Sequence, residues 1–545
     1  MKAQEVIDIF NLTIDLLELH EENPFKIKAL KSAVFALEKI PTVEGNWDLK
    51  IVESTPGIGK GIITRIHELT ETGKLSELIE LEKLTPASLI ELFSVKGLGP
   101  KKIRQLWKEL GVESIDDLFS ACHENKLIGI KGFGLKTQQK IKEALEFKQL
   151  SQGQFHYAKA INWANSLMEK IIHIYRPVKV AITGDLRRNM PVVDKIELLV
   201  VLDDTIQIDL EKLLTELDQL KCLVQIHRCS VAQYFAQLFF TTGPAQYVAQ
   251  FDGTENSFDS EEALFEWNKK PFVPAYLRDN DAFIKAKVTG NTTDISELSW
   301  DFLKGALHNH STYSDGQHSL KEMAQGCIDL GLTYFGICDH SRAAFYANGL
   351  KPERIIEQHH EIDQLNKDLS PFVILKGIEC DILADGRLDY NDEILRTFDF
   401  VVASVHTQLE MDQEKATNRL IRAIENPFTT ILGHMTGRLL LHRKGYLLDH
   451  KKVIDACAAN EVCIELNANP YRLDIDWKWI PYCLEKGVKI AINPDAHAVK
   501  GLNDMHYGIS VALKANLPVQ DCLNCLTASE IMHYFESRKL RRWQS

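Results

Sequence analysis

From residue 303 to the C-terminus, short apolar segments of β type alternate with helical patterns, and this alternation constrains the fold more than any other feature of the sequence. The segments occupy residues 305–308, 334–338, 372–379, 399–406, 429–434, 462–467 and 488–493. Strands that alternate with helices along a chain form parallel sheets with the helices packed outside them. The seven segments therefore predict a seven-stranded parallel α/β barrel over residues 303–545.

Each of these segments ends in, or runs directly into, a polar residue that can bind a metal or a substrate. Because the carboxyl ends of parallel barrel strands meet at one rim, residues that are distant in sequence can share a small site there. The candidates are His308, His310, Asp315, His340, Glu379, His406, His434, Asp495 and His497. A single histidine at a strand end is more often an ordinary core or surface residue. Collected at one rim, imidazoles and carboxylates predict a site for zinc, manganese or iron.

In chain order, the motifs HxH followed by an aspartate, DH, GxE, H, GH and DxH resemble those of the polymerase and histidinol phosphatase (PHP) superfamily. The resemblance implies a (β/α)7 barrel with up to three divalent metals and with Glu379, His308 and Asp495 at its catalytic centre. Water would attack phosphorus without a protein nucleophile. The implied ligand sets are His308, His310, Glu379 and Asp495 for the first metal, Glu379, His406 and His434 for the second, and Asp315, His340 and His497 for the third.

Two arginines near this predicted rim, Arg438 in GHMTGR and Arg472 in NANPYR, are candidates for binding a substrate phosphate. The planar guanidinium group pairs well with phosphate oxygens. A surface or structural salt bridge is the alternative for each of them.

Residues 1–150 contain three similar segments, 55–66, 95–106 and 130–141, among short helical patterns. In each, an apolar residue and a Gly-x-Gly turn precede a helix, so the turn presents backbone N–H groups that suit a phosphate. These helix-hairpin-helix motifs are expected to bind the DNA backbone through Gly57, Gly59, Gly97, Gly99, Lys101, Lys102, Gly132 and Gly134, with Arg104 nearby. An ordinary helix–helix turn is the alternative for one or two copies.

Residues 151–250 alternate strand patterns at 178–183 and 196–202 with helical stretches, which predicts a small α/β or α+β domain. Residues 251–302 have turn composition, which predicts a reduced subdomain and a linker. With ENPFKIKAL at 22–30 and the three hairpins, these segments resemble a bacterial family X DNA polymerase, in which a PHP domain follows the polymerase. The resemblance implies a nucleotidyltransferase-like palm followed by a shortened thumb.

The positions that the polymerase family uses for triphosphate and magnesium are eroded in this sequence. Asp185 stands where the family has the serine of a glycine–serine step, and the three metal-binding aspartates are replaced by Lys195, Glu197 and Gln225. A protonated lysine cannot bind magnesium, and Asp185 would repel a triphosphate. The palm is therefore expected to be degenerate and to serve as a scaffold or to position DNA. The alternative is that Asp194 and Glu197 still bind a metal.

Acidic residues outnumber basic ones by 76 to 63, which gives a net charge of −13, so any contact with DNA must be local. The N-terminus lacks the basic, apolar and small-residue order of a secretory signal, and no apolar run reaches membrane-spanning length. The eleven cysteines are an odd number inside apolar segments and indicate a reducing compartment. A cytoplasmic, nucleoid-associated protein without membrane contact is expected.

Together these features predict a DNA-associated, metal-dependent phosphoesterase. The resemblance further implies a 3′–5′ exonuclease or a 3′-end-processing enzyme of DNA repair, with gapped or 3′-ended DNA and other repair proteins as partners. Three alternatives are an active family X polymerase that fills gaps, a non-catalytic DNA-binding scaffold and a small-molecule phosphatase.

Overall fold

The computed structural model describes the following residues: 2–42, 45–123, 126–150, 153–203, 205–209, 213, 223–290, 294–441 and 443–544. The chain divides into two units, Met1–Gln152 and Gly153–Ser545, and the division lies beside the boundary expected at residue 150. None of the helices in these described ranges combines the length and the hydropathy needed to cross a lipid bilayer.

The first unit is helical, as predicted. Its α-helices are Ala3–Leu19, Pro24–Leu37, Leu49–Ser54, Lys60–Thr72, Ser76–Lys83, Ala87–Ile90, Pro100–Leu110, Ile115–His123 and Leu135–Leu150. In the first helix, Val6, Phe10, Ile14 and Leu17 recur every three or four residues and are buried. This spacing puts them on one face of the helix, so the other helices pack against a continuous apolar stripe.

The second unit begins with a small mixed sheet and a separate two-stranded pair. The strands of this region are β1 (Phe155–His156), β2 (Lys179–Thr183), β3 (Val192–Val193), β4 (Lys195–Val201) and β5 (Leu223–Arg228). Strands β2, β4 and β5 form a sheet in that order, with β2 antiparallel and β5 parallel to β4, while β1 pairs with β3. Helix Tyr157–Tyr175 packs against this sheet through buried Ala160, Ala164, Leu167 and Ile171. The two strands expected at 178–183 and 196–202 are therefore present.

A helical subdomain with an aromatic core follows the small sheet. Its helices are Tyr234–Thr242, Ala245–Val248, Glu261–Trp267 and Asp281–Val288. The ring of Phe239 lies 4.7 Å from that of Phe251 and 5.3 Å from that of Phe265, measured between centroids. This core extends from Ala236 to Phe283, so it crosses the boundary expected at residue 250 and lies partly in the segment expected to form a reduced subdomain and a linker. Aromatic residues spread over short helices give no helical period, so the sequence did not show how much of this segment packs into a core.

The C-terminal barrel has seven parallel strands whose spatial order follows the sequence. They are β6 (Gly305–Ala306), β7 (Tyr334–Ile337), β8 (Val373–Asp381), β9 (Phe400–Ser404), β10 (Ile431–Leu432), β11 (Cys463–Asn467) and β12 (Ile490–Asn493). Beyond the ends of β6 and β12, a parallel bridge joins Asn309 to Ala496 and nearly closes the barrel. The predicted seven-stranded barrel is confirmed.

Helices connect the barrel strands and surround them. They are Leu320–Asp329, Pro352–Asp368, Asp392–Leu395, Gln413–Glu425, His450–Ala459, Ile480–Glu485, Met505–Lys514 and the C-terminal helix Ala528–Gln544. The last helix packs against the first residues of several strands, where Phe535 stacks on Phe400 at 5.1 Å and Ile531 joins the same buried cluster. Because the amino ends of the strands are filled in this way, the polar carboxyl ends are the side that can receive a ligand.

Candidate functional site

The structure brings the nine predicted side chains together at the carboxyl ends of the barrel strands. Glu379 lies near the end of β8, and the others lie in the segments that follow β6, β7, β9, β10 and β12. Every one of them has a nitrogen or oxygen atom within 4 Å of another member of the set. The expectation that residues distant in sequence meet at one rim therefore holds geometrically.

Glu379 is the centre of this cluster, and its side chain is almost completely buried. The imidazole nitrogens that lie 2.9–3.6 Å from its two carboxylate oxygens belong to His308, His310, His340, His406 and His434. A single carboxylate cannot accept a hydrogen bond from five imidazoles in good geometry. The arrangement is instead the one expected where a carboxylate and imidazoles share cations.

Two further carboxylates flank Glu379. Asp315 has its Oδ2 atom 3.5 Å from Nε2 of His340 and its Oδ1 atom 3.4 Å from Nε2 of His497. Asp495 has an oxygen 3.1 Å from Nε2 of His310 and 3.5 Å from Nε2 of His308. His310 also lies within reach of Asp315, at 3.9 Å, so it stands between the two carboxylates instead of belonging only to the first of the implied ligand sets.

The backbone is strained at two of these positions. His308 and Asp495 have φ values of 69° and 52°, in the left-handed region that side chains with a Cβ rarely adopt. Such strain costs on the order of 1–3 kcal/mol per residue and persists only where surrounding contacts impose it. Asn309 supplies such contacts, because its side-chain amide donates to the carbonyls of Ala306 and Gly336 at 3.2 and 3.1 Å.

Sequence reasoning missed the carboxylate that orients His308. Glu465, inside β11, is fully buried, and its Oε1 lies 2.6 Å from Nδ1 of His308. The same side chain accepts hydrogen bonds from the backbone N–H of His434 at 2.8 Å and from the amide of Asn493 at 2.9 Å. The available signal was an acidic residue within the otherwise apolar strand VCIEL.

Two other buried aspartates support the cluster and were also missed. Asp381 has an oxygen 3.1 Å from Nδ1 of His406. Asp339 accepts hydrogen bonds from the backbone N–H of Ser311 at 2.8 Å and from the side chain of Gln358 at 2.7 Å, which ties the segment after β6 to the segment after β7. Asp339 directly precedes His340, and Asp381 follows Glu379 by two residues, so both lie beside predicted ligands in the sequence.

The surroundings of the cluster lower the pKa of one of its histidines and raise the pKa of another. Burial and the neighbouring imidazoles of His497 and His340 lower the pKa of His310 to about 3. Although burial opposes it, the Glu379 carboxylate raises the pKa of His340 to about 10. Glu379 in turn has a pKa well below its usual range, since nearby imidazoles outweigh its burial. The buried carboxylate of Glu379 thus favours positive charge at the centre of the cluster, while Asp315 and His497 at its edge are partly exposed.

The donor set fits divalent cations. His308 Nε2, His310 Nδ1, His434 Nδ1 and Glu379 Oε2 are buried and form no hydrogen bond, although charged groups lie close to them. Buried polar atoms without a partner are costly, and cations bound among these atoms would satisfy them. Imidazole nitrogen with carboxylate oxygen suits zinc, manganese or iron, and no thiol lies among the nine side chains.

The two candidate arginines differ in their surroundings. Arg438 donates from Nε to the carbonyl of Arg472 at 2.9 Å and from a terminal nitrogen to Asp476 at 2.7 Å. Its guanidinium group therefore forms a structural salt bridge within the protein. The Nε of Arg472 lies 3.6 Å from Oδ2 of Asp495, and one terminal nitrogen of its guanidinium group is buried without a hydrogen bond. Arg472 is therefore the arginine that can offer N–H groups to a ligand beside the cluster.

In the small sheet, three side chains at positions expected to be eroded contact one another. Lys195 has its ammonium 2.9 Å from Oε1 of Glu197 and donates to the side chain of Gln225 at 3.1 Å. Glu197 packs so closely against Gly184 that a Cβ at that glycine would lie 2.0 Å from its carboxylate. In the described part of this sheet, no three acidic, histidine or cysteine side chains come close enough to hold a cation.

Asp185 is also held internally. Its carboxylate contacts Arg188, whose Nε donates to Asp279 at 3.1 Å. Burial raises the pKa of Asp185. Asp194 lies immediately before β4, whose pairing with β5 begins at Lys195 and Leu223.

In the first unit, the three hairpins have the same local structure. Gly57, Gly97 and Gly132 have φ values of 95°, 91° and 92°, which only glycine adopts easily. The apolar residue that follows each of them, Ile58, Leu98 or Phe133, is buried and donates its backbone N–H to a carbonyl three residues earlier. Gly59, Gly99 and Gly134 then precede the helices, so each turn exposes backbone N–H groups at a helix start.

The lysines of the second hairpin are arranged differently from Arg104. Lys101 is exposed in the first turn of helix Pro100–Leu110, and Lys102 donates to the carbonyl of Gly97 at 3.0 Å. Arg104 instead donates to the carbonyl of Leu19 at 2.9 Å and pairs with Glu21 at 2.8 Å. Lys101 is thus better disposed than Arg104 to meet a phosphate.

Three family models match the chain. The PHP domain matches residues 306–469, a SAM-like helix-hairpin-helix tandem matches residues 89–146, and a helix-hairpin-helix domain matches residues 1–75. The first match covers most of the barrel, and the other two cover the three hairpins. The predicted PHP and helix-hairpin-helix assignments are confirmed.

Comparison with similar proteins extends the family assignment from these domains to nearly the whole chain. The DNA polymerase/3′-5′ exonuclease PolX of Bacillus subtilis (strain 168) is 32% identical over 97% of this chain and 99% of its own length. A probable phosphatase of Caldanaerobacter subterraneus is 29% identical over 31% of this chain and 67% of its own length, and DNA polymerase lambda of Arabidopsis thaliana is 34% identical over 27% and 28%. Because the first similarity spans nearly all of both proteins, this chain belongs to the bacterial PolX family, the family X DNA polymerases that carry a C-terminal PHP domain.

Proposed function

We propose that the barrel is a metal-dependent phosphoesterase that removes nucleotides or blocking groups from DNA 3′ ends. The observation that carries this proposal is the convergence of five imidazoles on the buried carboxylate of Glu379, flanked by Asp315 and Asp495. The names of two relatives, a 3′-5′ exonuclease and a probable phosphatase, support phosphate-ester hydrolysis as the chemistry.

Divalent cations bound at this site would supply Lewis-acid charge to the phosphate oxygens and lower the pKa of water. Their ligands would be the nine side chains already named, with Glu379, His308 and Asp495 at the centre. Arg472 would hold a non-bridging phosphate oxygen, since one terminal nitrogen of its guanidinium group forms no hydrogen bond and its Nε lies 3.6 Å from Asp495. Glu465 and Asp381 would fix the imidazole rings of His308 and His406.

DNA, as opposed to a small phosphate ester, is the favoured substrate because of the three hairpins in the first unit. Each hairpin exposes backbone N–H groups at a helix start, where the partial positive charge favours phosphate. A phosphatase for small molecules would have no use for three such turns. We therefore assign the hairpins to non-specific contact with the DNA backbone, with gapped or 3′-ended DNA as the substrate.

We expect Lys101→Ala to weaken binding of the whole chain to DNA of any sequence. Loss of one phosphate contact reduces the slope of log affinity against log salt by about 1. Fluorescence anisotropy with two unrelated duplexes at several salt concentrations measures this slope. Lys108→Ala is the matched control, because Lys108 lies in the last turn of the same helix and over the ring of Trp107. An unchanged slope for Lys101→Ala would remove this lysine from the interface.

We further propose that the palm does not polymerise. Support comes from the Lys195 ammonium, which lies against Glu197 and Gln225 where polymerisation requires clustered carboxylates for two cations. With manganese or magnesium, an end-labelled primer–template and all four dNTPs, we expect shortening of the primer and no lengthening. Electrophoresis of the products distinguishes the two directions. Extension by even a few nucleotides would restore the alternative of an active polymerase.

A further inference from the structure

A hydrogen-bonded turn shortly after β11 carries the side chains of Tyr471 and Arg472 beside the metal-ligand cluster. The side chain of Asn469 accepts a hydrogen bond from the backbone N–H of Tyr471 at 3.0 Å, and its carbonyl accepts one from Arg472 at 2.8 Å. Within this turn, Arg472 reaches Asp495, while the ring of Tyr471 is 53% exposed. The turn therefore presents a cation and an aromatic face from adjacent residues.

A residue from the two-stranded pair of β1 with β3 completes this feature. The Nε2 atom of His156, in β1, lies 2.9 Å from the carbonyl oxygen of Leu440. Since a carbonyl can only accept, this nitrogen carries the proton, and the ring orientation is fixed. Leu440 in turn donates its backbone N–H to the carbonyl of Tyr471 at 2.6 Å. The rings of His156 and Tyr471 meet edge to face, with centroids 4.6 Å apart.

We propose that Tyr471, braced by His156, is the stacking platform for the nucleobase of the 3′-terminal nucleotide. This inference rests on the proposed function of the barrel and deepens it. Aromatic side chains stack on unpaired bases without selecting a sequence, because every base has a π face. Tyr471 directly precedes Arg472, so a nucleotide whose phosphate contacts that guanidinium has its base within reach of the exposed ring.

The platform also gives the region before the barrel a role that does not need polymerase chemistry. His156 belongs to β1, which pairs with β3, whereas Leu440 and Tyr471 belong to loops of the barrel. This pair of strands thereby contributes a side chain to the rim of the hydrolytic site, which the barrel alone would lack. Substrates whose terminal base is unpaired are preferred, since a base held in a duplex does not offer its face to Tyr471.

The test compares two single-stranded oligonucleotides that differ only at the 3′-terminal residue. In one, this residue carries a base. In the other, it is a tetrahydrofuran analogue without a base. The full chain with manganese is assayed for release of the terminal nucleotide, and the ratio of kcat/KM for the two substrates is the readout. Tyr471→Ala is expected to lower this ratio by about tenfold, as loss of one base–aromatic stack does. Tyr471→Phe keeps the ring and is expected to keep the ratio.

Two further variants make the test specific. Phe345→Ala removes another highly exposed aromatic side chain, in the segment after β7, and is expected to leave the ratio at the wild-type value. His156→Ala frees the Tyr471 ring and is expected to lower the ratio by a smaller factor than Tyr471→Ala. An equal loss on both substrates in Tyr471→Ala, or an equal fall of the ratio in Phe345→Ala, would overturn the platform.

A binding measurement separates this inference from the proposed function. Without metal, in the presence of a chelator, the wild-type chain is expected to bind the base-ended oligonucleotide more tightly than the base-free one, and Tyr471→Ala is expected to bind both equally. If the wild-type chain hydrolyses neither substrate with any metal, the proposed function fails, while this affinity difference still supports the platform. Equal affinities in the wild-type chain would overturn the platform alone.

Discussion

Glu379→Gln is expected to reduce hydrolysis of DNA 3′ ends by about 10³-fold, because the substitution keeps the shape of the side chain and removes its charge. Charge stabilisation by bound cations contributes several kcal/mol to such reactions, and each 1.36 kcal/mol corresponds to a factor of ten in rate. Glu379 is the side chain toward which all five imidazoles point, so its neutralisation disturbs every cation position that it borders. Single-turnover release of the terminal nucleotide measures the loss.

Metal content gives a second readout for the same variant. Elemental analysis after dialysis against excess manganese is expected to show fewer bound ions in Glu379→Gln than in the wild-type chain. Glu361→Gln is the matched control, since Glu361 accepts a hydrogen bond from Tyr313 at 2.7 Å and is not one of the nine predicted ligands. If Glu379→Gln keeps both its ions and its rate, the carboxylate at the centre of the cluster is not a shared ligand.

The barrel and its nine candidate ligands could be predicted because two independent signals coincide in the sequence. Strands that are buried on both faces are easy to recognise in a sequence because they are continuously apolar. In β9, for example, all five residues are buried. Polar residues at the ends of such segments stand out against this background. Parallel strands then force the ends into one rim, so the sequence specifies the site without any knowledge of distances.

Residues inside the strands were harder to interpret. Glu465 lies between Ile464 and Leu466 in β11, where an acidic residue interrupts an apolar segment without changing its type. The sequence does not show which histidine it contacts, because that pairing depends on the register of β11 and on the left-handed backbone at His308. The ion pairs of Lys195 likewise depend on the parallel pairing of β4 with β5, which brings Gln225 opposite Glu197.

The helical subdomain after the small sheet shows a different limit of prediction from sequence. Its core is aromatic, and Phe239, Phe251 and Phe265 come from three separate segments. In its interior, Arg278 is almost completely buried, and its guanidinium pairs with Glu261 at 2.8 Å. A charged residue in an irregular segment normally indicates exposure. The sequence therefore indicated a reduced subdomain and a linker, and it did not show how much of this segment tertiary packing builds into a core.

Glu465→Gln is expected to lower metal affinity, and with it the rate at limiting manganese, by about 10- to 100-fold, the usual effect of removing a carboxylate that orients a ligating histidine. Glu465 is fully buried between Nδ1 of His308, at 2.6 Å, and the backbone N–H of His434, at 2.8 Å. Glutamine has only one accepting oxygen, so one of these groups would face an amide N–H or the His308 ring would turn. Metal titration by calorimetry measures the affinity.

Rescue by excess metal separates this variant from Glu379→Gln. Because Glu465 orients a ligand and is not expected to bind a cation itself, saturating manganese is expected to restore most of the rate in Glu465→Gln, whereas Glu379→Gln is expected to stay inactive. Glu461→Gln is the matched control, since Glu461 forms an exposed pair with Arg541 at 2.7 Å and such pairs contribute less than about 1 kcal/mol. A rate in Glu465→Gln that does not rise with manganese would make Glu465 part of the catalytic centre instead of a support for His308.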